Sequence, residues 1–126
     1  MKQPTLRTKR VYDPPSAKDG LRVLVDRLWP RGLTKAEAHV DLWLKGLAPS
    51  NELRRKFHAG TLDWSEFVTA YKRELAQADK QAAGPLAESK SRTITFLYAS
   101  KDDEQNNAVV LAKWLETKLR PKKPKA

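Results

Sequence analysis

The chain contains no cysteine. That absence excludes disulfides, thiolate nucleophiles, zinc–thiolate sites and iron–sulfur clusters, and removes any need for an oxidising compartment. Histidine is scarce: only His39 and His58 occur, well separated. No dedicated transition-metal site is expected from them, and a serine nucleophile finds no evident partner base. Both are read as surface or capping residues, His58 at a helix end where the helix dipole favours a charged imidazole. No stretch approaches the roughly 18 apolar residues of a membrane span, and Met1-Lys2-Gln3-Pro4-Thr5 has no apolar run of the kind a signal peptide carries. A soluble, cytoplasmic protein is expected, with no membrane partner and no cofactor.

What is present is charge. The 126 residues carry a formal net charge of +10, a balance that invites a nucleic-acid reading. Residues 1–10 hold four basic groups and residues 118–126 hold five, with no acid at either end, so the stretch between them has 16 basic residues against 15 acidic ones. The basic character therefore belongs to the ends, and the middle is nearly neutral. The tail Arg120-Pro121-Lys122-Lys123-Pro124-Lys125-Ala126 has no apolar anchor and suits a solvated end; it also suits weak, salt-sensitive contact with nucleic acid. One domain over 1–126, with basic, flexible ends at 1–4 and 120–126, is the expected organisation.

Leu21-Arg22-Val23-Leu24-Val25 and Thr93-Ile94-Thr95-Phe96-Leu97-Tyr98 have the composition of central strands. Val40-Asp41-Leu42-Trp43-Leu44 alternates and lies nearer an edge, and Leu6 to Tyr12 reads as an edge strand protected by its basic residues. Thr34-Lys35-Ala36-Glu37 and Asp63-Trp64-Ser65-Glu66 are capping boxes, in which each end residue satisfies an otherwise unpaired amide at a helix start. Ser50 precedes a helix with Leu53 and Phe57 on one face. Trp64, Phe67, Val68, Tyr71 and Leu75 recur at helical spacing and are expected in the core. Asp102-Asp103 marks the start of a last helix with the stripe Ala108, Leu111, Leu115 and Leu119, ending near Pro121, and Trp114 is expected in the core with that helix. Residues 80–92 read as a loop or broken helix. Strands alternating with helices predict an α/β fold, a small, mostly parallel sheet of three to four strands with helices packed on it.

In such a sheet ligands sit where strands deliver their C-terminal ends. Asp26-Arg27-Leu28-Trp29-Pro30-Arg31-Gly32 follows an apolar strand with a carboxylate, two guanidinium forks, an aromatic surface and a rigid turn. Two arginines near a helix start suit a phosphate or carboxylate, and Trp29 suits stacking. The bland alternative is that Asp26 pairs with Arg27 or Arg31 to pin the loop while Trp29 packs. Ser50 is a helix cap first and an anion ligand second. Tyr98, Lys101 and Asn106 complete the expected ligand-binding set of Asp26, Arg27, Trp29, Arg31 and Ser50; Tyr98 reads equally as a strand residue and Lys101 as a solvated one.

Arg10-Val11-Tyr12-Asp13, the run from Asp19 to Gly32, Leu47-Ala48-Pro49-Ser50 with Glu52-Leu53-Arg54, and Phe96-Leu97-Tyr98-Ala99 with Lys101-Asp102 and Asn106 resemble the YeaO-like family of uncharacterised bacterial proteins, a domain of unknown function (number 488). The resemblance runs from about Arg10 to Leu115 and implies the α/β fold but no activity. It also implies histidines around Asn106, where this chain has Gln105 and Asn107, which weakens an acid/base role for that segment. A winged-helix regulator is disfavoured, because no helix-turn-helix followed by a wing hairpin is present.

Three functions follow as expectations. The first is a small-anion site at the Asp26 to Gly32 loop, with Asp26 as the one catalytic candidate if the protein is an enzyme, a question left open. The second is a nucleic-acid accessory protein working through its basic ends. The third is a structural or interaction module whose loop only stabilises the fold. Oligomeric state is not readable from the sequence.

Overall fold

The two most apolar runs lie side by side at the centre of a four-stranded sheet. In a computed structural model, which describes residues 4–82, 84, 86 and 92–119 (without the side chains of 79–82, 118 and 119), the strands are β1 (Thr5–Arg10), β2 (Leu21–Leu24), β3 (Leu42–Trp43) and β4 (Thr93–Tyr98), in the spatial order β1-β4-β2-β3. All three pairings are parallel, with Arg10 opposite Tyr98, Val23 opposite Phe96 and Leu42 opposite Val23. The α/β architecture is as the sequence indicates, and the sheet is wholly parallel. β3 is only two residues long: the Asp41 N–H still donates to the Arg22 carbonyl, but the Arg22 N–H donates to the Asp41 carboxylate at 2.8 Å and not to a backbone carbonyl.

The strands are apolar on both faces because both are covered. Val23, Val25, Ile94, Phe96 and Tyr98 face the main core, which α2 (Asn51–His58), α3 (Trp64–Ala82) and α4 (Asn107–Leu119) close with Leu53, Phe67, Tyr71, Leu75, Ala108, Leu111 and Leu115. Leu24 and Leu97 face a smaller cluster with Val11, Trp29, Trp43 and Ala38, the last from the single-turn helix α1 (Lys35–Ala38). Arg22 is buried on that second face and is fully engaged: it bonds the Asp19 carboxylate at 2.5 Å and the Ala38 and His39 carbonyls at 2.9 and 3.0 Å. Lys9 Nζ reaches the same carboxylate at 3.1 Å, so the buried charge is compensated.

Each helix start has a local chemical cause. Thr34 and Glu37 exchange side-chain-to-backbone bonds of 3.1 and 3.0 Å at α1, and Asp63 and Glu66 do so at 2.8 and 3.0 Å before α3. Ser50 caps α2 through the Leu53 N–H. The last helix begins at Asn107, later than the acidic pair suggests. Asp102 spends its carboxylate on the Glu104 and Gln105 N–H groups in a local turn, and Asn106 takes the capping role by accepting the Val109 N–H at 3.0 Å. Helix α3 runs on to Ala82, into the stretch 80–92 read as a loop or broken helix, and Leu86 beyond it is buried against the core. The expected flexible end at 120–126, Pro121 as the stop of the last helix, most of the N-terminal stretch 1–4 and much of the loop expected at 80–92 lie outside the described residues. No helix among the described residues is long and apolar enough to cross a membrane.

Candidate functional site

The sheet order creates a crevice at its carboxyl end. β2 leads through α1 to β3 on one side, whereas β4 leads into α4, which packs back against β1 and β4. Adjacent strands whose connections diverge leave a gap between their C-terminal ends, and Asp26 sits there. Its carboxylate accepts the Ala99 N–H, just past β4, at 2.8 Å, and the Asn107 side-chain amide at 3.1 Å. Trp43 Nε1 donates to the Asp26 carbonyl at 2.8 Å. One residue thus ties β2 to β4, to the segment that ends β3 and to the start of α4.

A cavity of about 340 Å³ opens beside it. Its guanidinium groups are Arg27, Arg31 and Arg54, its imidazole is His58, its carboxylate is Asp26, and its amides are Gln105, Asn106 and Asn107. Leu28, Trp29, Pro30, Pro49, Phe57, Phe67 and Ala99 form the apolar lining, with Tyr12 and Ser100 as hydroxyls. The loop is fixed by side-chain bonds to backbone carbonyls: Tyr12 OH donates to the Arg31 carbonyl at 2.8 Å, Trp29 Nε1 to the Leu33 carbonyl at 2.7 Å, and Arg27 Nε to the Pro49 carbonyl at 3.0 Å. Asp26 forms no ion pair with Arg27 or Arg31, so the loop is not held by the pairing that the bland alternative supposes.

Burial pushes the Asp26 carboxyl up; the Ala99 and Asn107 hydrogen bonds and the positive charges of Arg54 and His58 pull it back, and the net remains above the ordinary 3.8. Burial and the negative charges of Asp26 and Glu74 drive the Tyr71 phenol well above 10.0, and its hydroxyl donates to the Leu47 carbonyl at 2.5 Å. Arg54 is the unfinished element. Its Nε is buried and has no hydrogen-bond partner, where a buried donor ordinarily finds one. Chemically the cavity presents positive, fork-shaped donors beside a rigid apolar wall. Among the described residues no cluster of three histidine, cysteine or carboxylate groups exists to hold a metal ion.

Of the residues singled out in the sequence, Asp26, Arg27, Trp29, Arg31 and Asn106 line the cavity, and Ser50, Tyr98 and Lys101 do not. Ser50 is consumed as a cap, its hydroxyl donating to Glu74 at 2.6 Å and its N–H to the same carboxylate at 2.8 Å. Tyr98 is buried in the main core, and Lys101 is exposed. From the sequence, Arg54 enters as a functional residue only within Arg54-Arg55-Lys56, a second place for nucleic acid, and Phe57 and His58 are not read as site residues. The available signal was helical spacing: Arg54 and His58 are four apart, one residue round from the core-facing Leu53 and Phe57. Asn107, which the sequence groups with Asn106 and the Tyr98 to Lys101 loop as a candidate ligand segment, bonds both Val25 and Asp26.

The chain matches, over residues 5–126, a family described as "Inactive DUF488-N3 subclade". It is 44% identical over 112 residues to the uncharacterized protein YeaO of Escherichia coli (strain K12), covering 89% of this chain and 97% of that protein. It is 36% identical over 116 residues to an uncharacterized protein of Mycobacterium tuberculosis (strain H37Rv) and, equally, to one of Mycobacterium bovis, covering 91% of this chain and 97% of each relative. No solved structure matches it.

Proposed function

This chain belongs to the YeaO-like DUF488 family, and from that premise we propose that its cavity binds a small anion, a phosphate or a carboxylate, held by Arg27, Arg31 and Arg54. The observation that carries the reading is Arg54: a buried Nε without a hydrogen-bond partner, in a cavity lined by three arginines and one histidine against one carboxylate. An anion drawn against the Arg54 guanidinium supplies the missing acceptor once that side chain, whose Nε is shielded in this arrangement, turns toward it, and guanidinium forks bind phosphate and carboxylate in two-pronged fashion. Asn107 begins α4, whose N-terminal end adds a favourable dipole. The description "inactive" belongs to the family; carried to this chain, it favours binding over catalysis. Isothermal titration with inorganic phosphate and with acetate tests the reading. Arg27→Ala, Arg31→Ala and Arg54→Ala should each keep the fold and weaken binding, and full retention in all three overturns it.

A further inference from the structure

Resting on that anion-binding reading, we infer that the ligand is an organic anion with a ring, such as an aryl phosphate or an aryl carboxylate, and not a bare inorganic ion. Three observations converge. The first is size: the cavity, at about 340 Å³, is an order of magnitude above the roughly 30 Å³ liquid share of one water, and a bare inorganic phosphate leaves much of it to water. The second is the lining. Trp29, Pro30, Phe57 and Phe67 face the same space as the arginines; water against such walls is poorly satisfied, and an apolar group that displaces it gains affinity.

The third is rigidity. Phe57 stacks on Phe67 with centroids 4.5 Å apart and planes at 29°, and Trp64 stacks behind Phe67 at 5.6 Å and 19°. The Trp29 indole is fixed by its hydrogen bond to Leu33 and by edge contact with Trp43 at 5.4 Å. Aromatic walls already immobilised lose little further freedom when a flat group enters. A neutral ring leaves the Arg54 donor unanswered, and a bare anion leaves the rings wet; one molecule carrying both features answers both. Asp26, also on the lining, disfavours a second negative group, so a single anionic head is the fit.

The test compares phenyl phosphate with inorganic phosphate, and phenylacetate with acetate, by isothermal titration on the full chain. The ring should tighten binding by about tenfold or more in at least one pair, and the pair in which it does so identifies the head group. Phe57→Leu should reduce that gain, phenyl phosphate losing more affinity than inorganic phosphate does. Leu28→Ser, at a cavity residue 59% exposed where the fold is not at risk, should reduce the gain as well. Equal affinities within both pairs overturn this inference and leave the anion reading standing; no binding by any of the four compounds overturns both.

Discussion

Asn107 donates through one side-chain nitrogen to the Val25 carbonyl at 2.9 Å and to the Asp26 carboxylate at 3.1 Å. The first residue of α4 therefore holds the end of β2 in place, and the shape of the cavity depends on a helix docking to a strand that is remote in sequence.

Asp26→Asn separates the structural and electrostatic roles of that carboxylate. It should destabilise the protein by about 1–3 kcal/mol in urea denaturation, because an amide cannot accept from both Ala99 and Asn107 as the carboxylate does. Removing a negative charge from the cavity should at the same time tighten phosphate binding, by about fivefold. Weaker binding together with lower stability would mean that the carboxylate serves the ligand directly.

Ser50→Ala should cost about 1–3 kcal/mol, losing the α2 cap and leaving Glu74 without its partner, with phosphate affinity unaltered. A large loss of affinity at unchanged stability would return Ser50 to the binding site.

Two glycines with positive φ should behave unlike one another. A Cβ on Gly20 would run into the Thr93 carbonyl on the neighbouring strand, whereas Gly32 faces open space. Gly32→Ala should cost about 1 kcal/mol of backbone strain, and Gly20→Ala about 3 kcal/mol or more. Thermal melting of the two variants checks the order.

The carboxylates of Asp19 and Asp26 should produce opposite pH trends. Burial pushes Asp19 up, but bonds from Lys9, the Ser16 N–H and Arg22, with the charge of Lys9, outweigh it and hold the group below 3.8. Its contribution is present above 3.8 and is lost as pH falls through the lower folded value. The penalty of Asp19→Asn, about 3 kcal/mol or more near neutrality because Arg22 loses its buried partner, should therefore shrink in acid. Asp26 is raised, so its contribution is complete below 3.8 and is lost as pH rises through the higher folded value. The penalty of Asp26→Asn should accordingly shrink as pH rises. Urea titrations across the acid range read both slopes.

The legible parts of the fold are those governed by neighbours in sequence. β4 was visible over its full length as six residues of branched and aromatic side chains, and the Thr34–Glu37 and Asp63–Glu66 boxes mark their helices because both partners lie within one turn. The start of α4 was misjudged because two kinds of capping side chain compete within five positions, and the buried choice, Asn106, is decided by packing. The loop from Asp26 to Gly32 was legible as a cavity lining because Asp26, Arg27, Trp29 and Arg31 fall within one short stretch that follows an apolar strand. Arg54, Phe57 and His58 were not, because their approach to that loop depends on how α2 is set against the sheet. Asn107 stands in a segment that the sequence does mark, but its tie to Val25 and Asp26, just past β2 and more than eighty residues earlier in the chain, is set by packing.

The indole arrangement makes the cavity optically observable. Trp29 lines it, Trp43 touches Trp29 and bonds the Asp26 carbonyl, and Trp64 stacks behind Phe67 on its wall. Three of the four tryptophans of the chain are thus within one contact of the space a ligand would fill, so the protein carries its own fluorophores and occupancy can be followed by emission without a label.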